Sequence, residues 1–124
     1  MEMKIRIKAG SVDAEAVLNE SPTAKKVWEA LPLEARADTW GDEIYFGIPV
    51  KSSLEKDAQE VVEVGDLGYW PTGSAFCIFF GPTPMSRGKE VRPASAVNVI
   101  GRVSGDARIF KKVPSGVKVR IEKA

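Results

Sequence analysis

The most informative part of this sequence is VGDLGYWPTGSAFCIFFGPTP, residues 64 to 84. It contains an almost continuous apolar segment, residues 74 to 80, which is typical of a β-strand buried on both faces. Glycines and prolines interrupt the sequence before and after that segment, and these residues fix the backbone where a chain turns. We therefore expect the centre of the fold, and any functional site, to include this part of the chain.

Segments on both sides of this stretch alternate apolar and polar residues, the pattern of a β-strand with one buried face. The first and last of them, KIRIK and VKVRI, alternate without a break. Gly41-Asp42 lies between two alternating segments and predicts a β-hairpin. The predicted strands cover residues 4 to 8, 12 to 18, 33 to 40, 43 to 48, 62 to 70 with a turn at 65 and 66, 74 to 80, 97 to 103 and 117 to 121.

One segment has the signals of an α-helix. Ser21 is a favourable N-cap, and Pro22 suits the first helical position, where its missing N–H costs nothing. Pro32 ends the helix. The apolar residues between them have the spacing of one buried helical face; they are Ala24, Val27, Trp28 and Leu31. Asp106 is expected to cap a second, short helix.

These elements predict a mainly β fold, a closed eight-stranded β-barrel with one or two capping helices. The first and last strands are short and amphipathic, and pairing them would cover two sheet edges at once. The sequence contains no internal repeat or linker, so residues 1 to 124 are expected to form a single domain. Small residues at inward positions suit a tightly curved sheet; they are Ala14, Ala16, Ala35 and Ala37.

The composition excludes several classes of function. The formal net charge of +1 argues against a nucleic-acid or membrane-surface partner, and no apolar run approaches the ~20 residues of a transmembrane helix. The chain has no histidine, which excludes histidine-based nucleophile systems and histidine metal ligands. Its single cysteine forms no internal disulfide and suits a reducing compartment. We accordingly expect a cytoplasmic protein without a metal site or a cofactor.

Four segments of the chain carry a resemblance to a known family. They are WGDEIYF at residues 40 to 46, GDLGYWP at 65 to 71, CIFFGPTP at 77 to 84 and SAVNVIG at 95 to 101. In this order they resemble a small prokaryotic family of cyclophilin-like single-domain proteins without an assigned function. The resemblance covers nearly the whole chain. It implies an eight-stranded barrel of the cyclophilin type with helices over its two ends.

The peptidyl-prolyl isomerases themselves are a more distant match. GSAFCI, residues 73 to 78, resembles the cyclophilin stretch Gly-Ser-Gln-Phe-Phe-Ile. On that match the isomerase glutamine corresponds to Ala75 and a groove phenylalanine to Cys77. The isomerase histidine has no counterpart, and residues 44 to 49 lack the family's arginine motif. Since isomerisation needs a hydrogen bond to the twisted amide, we do not assign that activity.

The aromatic residues near the central stretch suggest a ligand cleft. Tyr69 and Trp70 are candidates for its flat apolar walls, and the Trp70–Pro71 peptide bond is a candidate for the cis form. The alternative is that each ring only fills a barrel end. Residues 81 to 95 form either a lid, with Arg87 or Arg92 meeting an acidic ligand group, or a plain surface crossover.

Glu43 shares a predicted strand face with Tyr45, and its pKa is expected to rise if the side chain is buried. Asn98 and Arg102 share a face of another predicted strand, and Cys77 is expected to be buried and inert. The candidate ligand-binding residues are therefore Glu43, Tyr45, Tyr69, Trp70, Phe76 and Arg87, with Trp40 and Asn98 behind them.

Three functional hypotheses follow. The first is a binding module, monomeric or homodimeric, with an aromatic-walled cleft for a small molecule or an extended, proline-containing peptide. The second is an enzyme, either a weak prolyl isomerase or a catalyst that uses Glu43 with Arg87 or Arg102. The third, which the family resemblance alone implies, is a structural partner subunit, since similar barrels also occur fused within larger enzymes of amide metabolism.

Overall fold

The computed structural model describes residues 2 to 124 and contains nine β-strands, one α-helix and two short 3-10 helices. The strands are β1 (Met3–Ala9), β2 (Val12–Leu18), β3 (Leu33–Arg36), β4 (Asp38–Thr39), β5 (Glu43–Gly47), β6 (Asp66–Trp70), β7 (Ala75–Phe79), β8 (Asn98–Val103) and β9 (Lys118–Lys123). The α-helix, α1, covers Pro22–Ala30, and the 3-10 helices cover Pro71–Gly73 and Ala107–Lys112.

The strands form one antiparallel sheet in the order β3-β9-β1-β2-β8-β6-β7-β5-β4. β3 and β4 stand at opposite ends of this order, although only Ala37 separates them in the chain. The sheet therefore curls until its two ends meet, and it forms a nearly closed barrel. If residues 33 to 39 count as one bent strand, the nine strands become the eight that were predicted.

The closure of the barrel depends on contacts near both termini. Ile7 of β1 lies opposite Ile121 of β9, which confirms the predicted pairing of the first and last strands. At the meeting point of the sheet ends, the Ala37 N–H donates to the Val117 carbonyl (2.8 Å), and the Ala37 carbonyl accepts from the Gly116 N–H (2.7 Å). Ala37 is fully buried there, so the bend leaves space for only a small side chain.

The helix α1 begins as predicted, with the Ser21 hydroxyl accepting the N–H of Ala24 at 3.2 Å. Its Trp28 is only partly buried, and the ammonium of Lys123 lies 4.7 Å from the centre of the ring. A cis peptide bond follows the helix at Leu31–Pro32, whereas the bond before Pro71 is trans. Within residues 2 to 124, every helix is too short or too polar to cross a membrane.

Strand alternation divides the buried apolar side chains into two clusters. The inner core fills the barrel; among its members are Ile5, Ile44, Phe46, Phe76 and Ile121. The outer cluster lies on the other face of the strands β5 to β8 and beneath the loop of residues 81 to 97. Its buried members are Val62, Ala75, Cys77, Phe79, Val91 and Val97. β7 contributes to both clusters, which explains its continuous apolar sequence.

One local prediction is wrong. Residues 62 to 64 do not form a strand: Val62 makes one isolated bridge, to Val91, and β6 begins only at Asp66. The strand β8 contains a β-bulge, because Leu67 lies opposite Gly101 while the next residue, Gly68, lies opposite Val99.

Candidate functional site

A cavity of about 230 Å³ lies on the outer wall of the barrel, where β5, β6 and β7 meet the loop of residues 81 to 97. Four of its lining residues are predicted site residues: Trp40, Glu43, Tyr45 and Trp70. The others are Cys77, Pro93, Ala94 and Val97. The cavity therefore lies outside the barrel core, in the outer cluster.

The alternation of β5 sets the floor of the cavity. Glu43 and Tyr45 are two residues apart and point outward, while Ile44 between them is fully buried in the inner core. Cys77 of β7 lies directly opposite Tyr45 in the antiparallel register. On the outer face, Glu43 and Cys77 are therefore diagonal neighbours.

Trp40 lies in the β4–β5 hairpin, at the rim of the cavity. Backbone hydrogen bonds join this hairpin to the start of the loop of residues 81 to 97. The Asp42 N–H donates to the Pro82 carbonyl, and the Asp42 carbonyl accepts from the Phe80 N–H, both at 2.9 Å. Gly81 fits because it has no side chain: a Cβ there would lie 2.3 Å from the Asp42 carboxylate. Two of the four motif segments, residues 40 to 46 and 77 to 84, thus meet beside the cavity.

Trp70 links the barrel wall to the opposite side of the cavity. Its indole N–H donates to the Ser95 hydroxyl at 2.7 Å. The ring lies so close to Gly73 that a Cβ on that residue would be 2.9 Å from it. The hydrogen bond holds residues 93 to 95 against the wall, and the ring remains partly exposed to the cavity.

Glu43 is the unusual group of the cavity. Its side chain is buried, and among the residues that the structure describes its Oε1 atom has no hydrogen-bond partner. Burial raises the pKa of this carboxyl to about 7, an effect that the neighbouring Cys77 thiol partly offsets. Burial, together with the nearby Glu43 carboxylate, raises the pKa of Cys77 well above its usual value. At neutral pH the floor of the cavity therefore holds the Cys77 thiol beside a Glu43 carboxyl that is close to half ionised.

The arginines proposed for a lid or as partners of Glu43 do not line the cavity. Arg87 is exposed in the loop, where its backbone N–H donates to Glu90, and Arg92 forms an ion pair with the same Glu90 at 2.9 Å. Arg102 forms an ion pair with Asp66 at 2.8 Å. Within the described chain, the residues that line the cavity include no lysine or arginine. The Glu43 carboxyl consequently has no countercharge in the cavity.

Two predicted cleft residues, Tyr69 and Phe76, face the barrel interior instead. They are register partners on β6 and β7, and both are fully buried. Phe76 stacks on Phe46 with 5.3 Å between ring centres, and the Tyr69 hydroxyl donates to the Val50 carbonyl at 2.6 Å. Adjacent strand residues point to opposite faces, so Tyr69 and Trp70 do not share one groove.

Asn98, another predicted site residue, belongs to a buried polar network at one barrel end. Its amide group donates to the Thr23 hydroxyl (3.0 Å) and the Ser53 carbonyl (2.9 Å), and its Oδ1 accepts the Glu55 N–H at 2.8 Å. Thr23 in turn hydrogen-bonds to the Glu55 carboxylate. This network connects the loop of residues 51 to 60 to α1 and β8. Asn98 therefore has a structural role.

We expect Asn98→Ala to destabilise the protein by about 2 kcal/mol, because it leaves the Glu55 N–H and the Ser53 carbonyl without their side-chain partner. Urea unfolding measures this change, and amide hydrogen exchange should accelerate at Glu55. The exposed Asn19, which donates to the Val99 carbonyl at 2.8 Å, provides the control. Asn19→Ala should lower the free energy of unfolding by less, because water can replace the exposed Asn19 amide as hydrogen-bond donor. Equal losses of stability in the two variants would contradict the prediction.

Four lining residues were not predicted from the sequence: Cys77, Pro93, Ala94 and Val97. Cys77 is buried, as predicted, and its inertness stays a prediction. Its strand alternation places it on the face of Ala75 and Phe79, and this pattern was available in the sequence. Pro93 and Ala94 reach the cavity through the path of the loop, which no local pattern records. Residues 2 to 124 contain no cluster of metal-ligating side chains.

Comparisons with known proteins agree with this architecture. A family model described as cyclophilin-like matches residues 3–122. The solution structure of a hypothetical protein from Archaeoglobus fulgidus is similar, with 44% sequence identity and a TM-score of 0.84 over 99% of this chain and 95% of that one. No curated protein matches the chain.

Proposed function

The chain belongs to the cyclophilin-like family, and on that premise we propose that it binds a small molecule in the cavity lined by Trp40, Tyr45 and Trp70. The observation that carries this proposal is the Glu43 carboxyl on the cavity floor. A buried polar atom without a partner is costly, and native structures keep few of them. A ligand that occupies the cavity and hydrogen-bonds to Oε1 would remove that cost.

The shape of the cavity favours a compact ligand over an extended peptide. Its volume of about 230 Å³ is below that of pockets for drug-sized molecules, which begin near 300 Å³. Pro93 and Ala94 bound it on the loop side, and aromatic rings line it elsewhere. A few polar groups in a mostly apolar concave site are typical of small-molecule sites.

Proline isomerisation has less support from the geometry. The positions that resemble the isomerase glutamine and groove phenylalanine are Ala75 and Cys77, and both are buried in the outer cluster. No arginine from residues 2 to 124 lines the cavity to polarise a prolyl amide. A binding role requires none of these groups.

The test is an NMR titration that follows the indole N–H signals of the three tryptophans. The probes are a set of small cationic, neutral and acidic fragments together with a proline-containing tetrapeptide. We expect at least one fragment to shift the signals of Trp40 and Trp70. Trp28 lies on α1, away from the cavity, and its signal should stay in place as the internal control.

A blocking variant sharpens this test. Ala94 lines the cavity from an exposed loop position, so Ala94→Trp should fill the space without disturbing the barrel. Binding should disappear in this variant while the free energy of unfolding stays within about 0.5 kcal/mol of wild type. If no fragment shifts both cavity tryptophans, or if Ala94→Trp binds as well as wild type, the proposed function is wrong.

A further inference from the structure

We infer that the ligand of this cavity is an organic ammonium ion, held by the Glu43 carboxylate among the rings of Trp40, Tyr45 and Trp70. This inference rests on the proposed function and specifies its ligand class. Its basis is the combination of groups that line the cavity: aromatic side chains, one acidic group and no basic group.

The aromatic lining suits a cation. Aromatic faces carry the negative part of the ring quadrupole, and they attract ammonium groups by about 0.5 to 2 kcal/mol each according to how far the site is desolvated. Trp40, Tyr45 and Trp70 all line the cavity, and each is only partly buried. The indole N–H of Trp70 is already engaged by Ser95, which leaves the ring itself as the group available to a ligand.

The charge distribution favours the same ligand class. The titratable groups that line the cavity are Glu43 and Tyr45 from β5 and Cys77 from β7. The strand β6 and the loop contribute only Trp70, Pro93, Ala94 and Val97 to the lining, none of which is ionisable. Because the basic side chains of the loop lie outside the lining, an acidic ligand would find no countercharge there. An ammonium ion would supply the countercharge that Glu43 lacks.

This inference carries a specific pH dependence. The carboxyl has a pKa of about 7 without a ligand, so it is largely protonated at pH 5.5 and largely ionised at pH 8. A cation stabilises the ionised form and should bind more tightly as the pH rises. A neutral ligand that accepts a hydrogen bond from the protonated carboxyl would show the opposite trend.

The experiment compares choline with its uncharged isostere 3,3-dimethylbutan-1-ol, which replaces the ammonium nitrogen by carbon. Titrations at pH 5.5 and pH 8 follow the Trp40 and Trp70 indole signals, with Trp28 as reference. At pH 8 we expect choline to bind about tenfold more tightly than the isostere. Its affinity should fall about tenfold at pH 5.5, whereas that of the isostere should not fall.

Two variants separate charge from shape. Glu43→Gln should abolish the preference for choline and its pH dependence while the isostere still binds. Glu29→Gln alters an exposed carboxylate on α1 and should leave all affinities unchanged. Equal binding of the two probes at pH 8, or tighter binding of choline at pH 5.5, overturns the inference.

The two proposals fail in different ways. If neutral or acidic fragments shift the cavity tryptophans while choline does not, the ammonium inference is wrong and the proposed small-molecule site stands. If no fragment of any charge shifts them, the proposed function is itself wrong.

Discussion

The free energy of unfolding of Glu43→Gln, relative to that of wild type, is expected to rise by about 3 kcal/mol between pH 4 and pH 8. The folded wild type holds this proton up to a pKa of about 7, whereas a carboxyl in the unfolded chain releases it near 4.5. Between these values the folded state binds more protons, so raising the pH favours unfolding. Glutamine mimics the protonated carboxyl and has no proton to lose.

Urea unfolding of both proteins at several pH values measures this effect, and the difference between them removes the titrations that they share. The stabilisation that the protonated carboxyl provides should be complete below pH 4.5 and lost as the pH passes 7. Glu29→Gln, on the exposed face of α1, should follow the wild-type curve. A difference between Glu43→Gln and wild type that is constant from pH 4 to pH 8 would refute a buried, unpartnered carboxyl.

Gly101→Ala should destabilise the protein by about 3 kcal/mol, the upper part of the usual range for overpacking. Gly101 follows the β8 bulge and lies opposite Leu18 of β2. A Cβ on Gly101 would lie 2.4 Å from the Val17 carbonyl oxygen and 2.9 Å from the Leu18 Cα. Both contacts are with backbone, so the strands β2 and β8 must separate to admit the methyl group.

Gly47 of β5 provides the matched control. It is an exposed strand glycine, and a Cβ there would have no atom within 4 Å. Gly47→Ala should leave stability unchanged or raise it by about 0.5 kcal/mol, because alanine loses less backbone entropy on folding. Thermal and urea unfolding of both variants measure the comparison, and equal effects would contradict the close approach of β2 and β8.

Local patterns were sufficient for most of the barrel. The unbroken alternation of the terminal strands predicted their pairing, and Ser21 with Pro22 predicted the start of α1. The bend at Ala37 was not predicted, because residues 33 to 40 alternate as one strand would. The change of partner from β9 to β5 at this point is a consequence of barrel closure, which no single segment encodes.

The candidate site was predictable where one strand face was clearly polar. Glu43 and Tyr45 flank an isoleucine, so their shared outward face followed from alternation. In β6 and β7 both faces are apolar, and the sequence does not show which side is the interior; Phe76 was placed in the cleft for this reason. The positions of Pro93 and Ala94 depend on the fold of the loop over the wall.

The inner core and the outer cluster share strands but no side chains, and this separation bears on how such a protein diversifies. Replacing a residue at the rim, such as Trp40 or Ala94, leaves the barrel filling untouched. A few changes at this surface therefore alter the lining of the cavity while the scaffold stays the same. The same property recommends the fold as a starting point for engineered receptors.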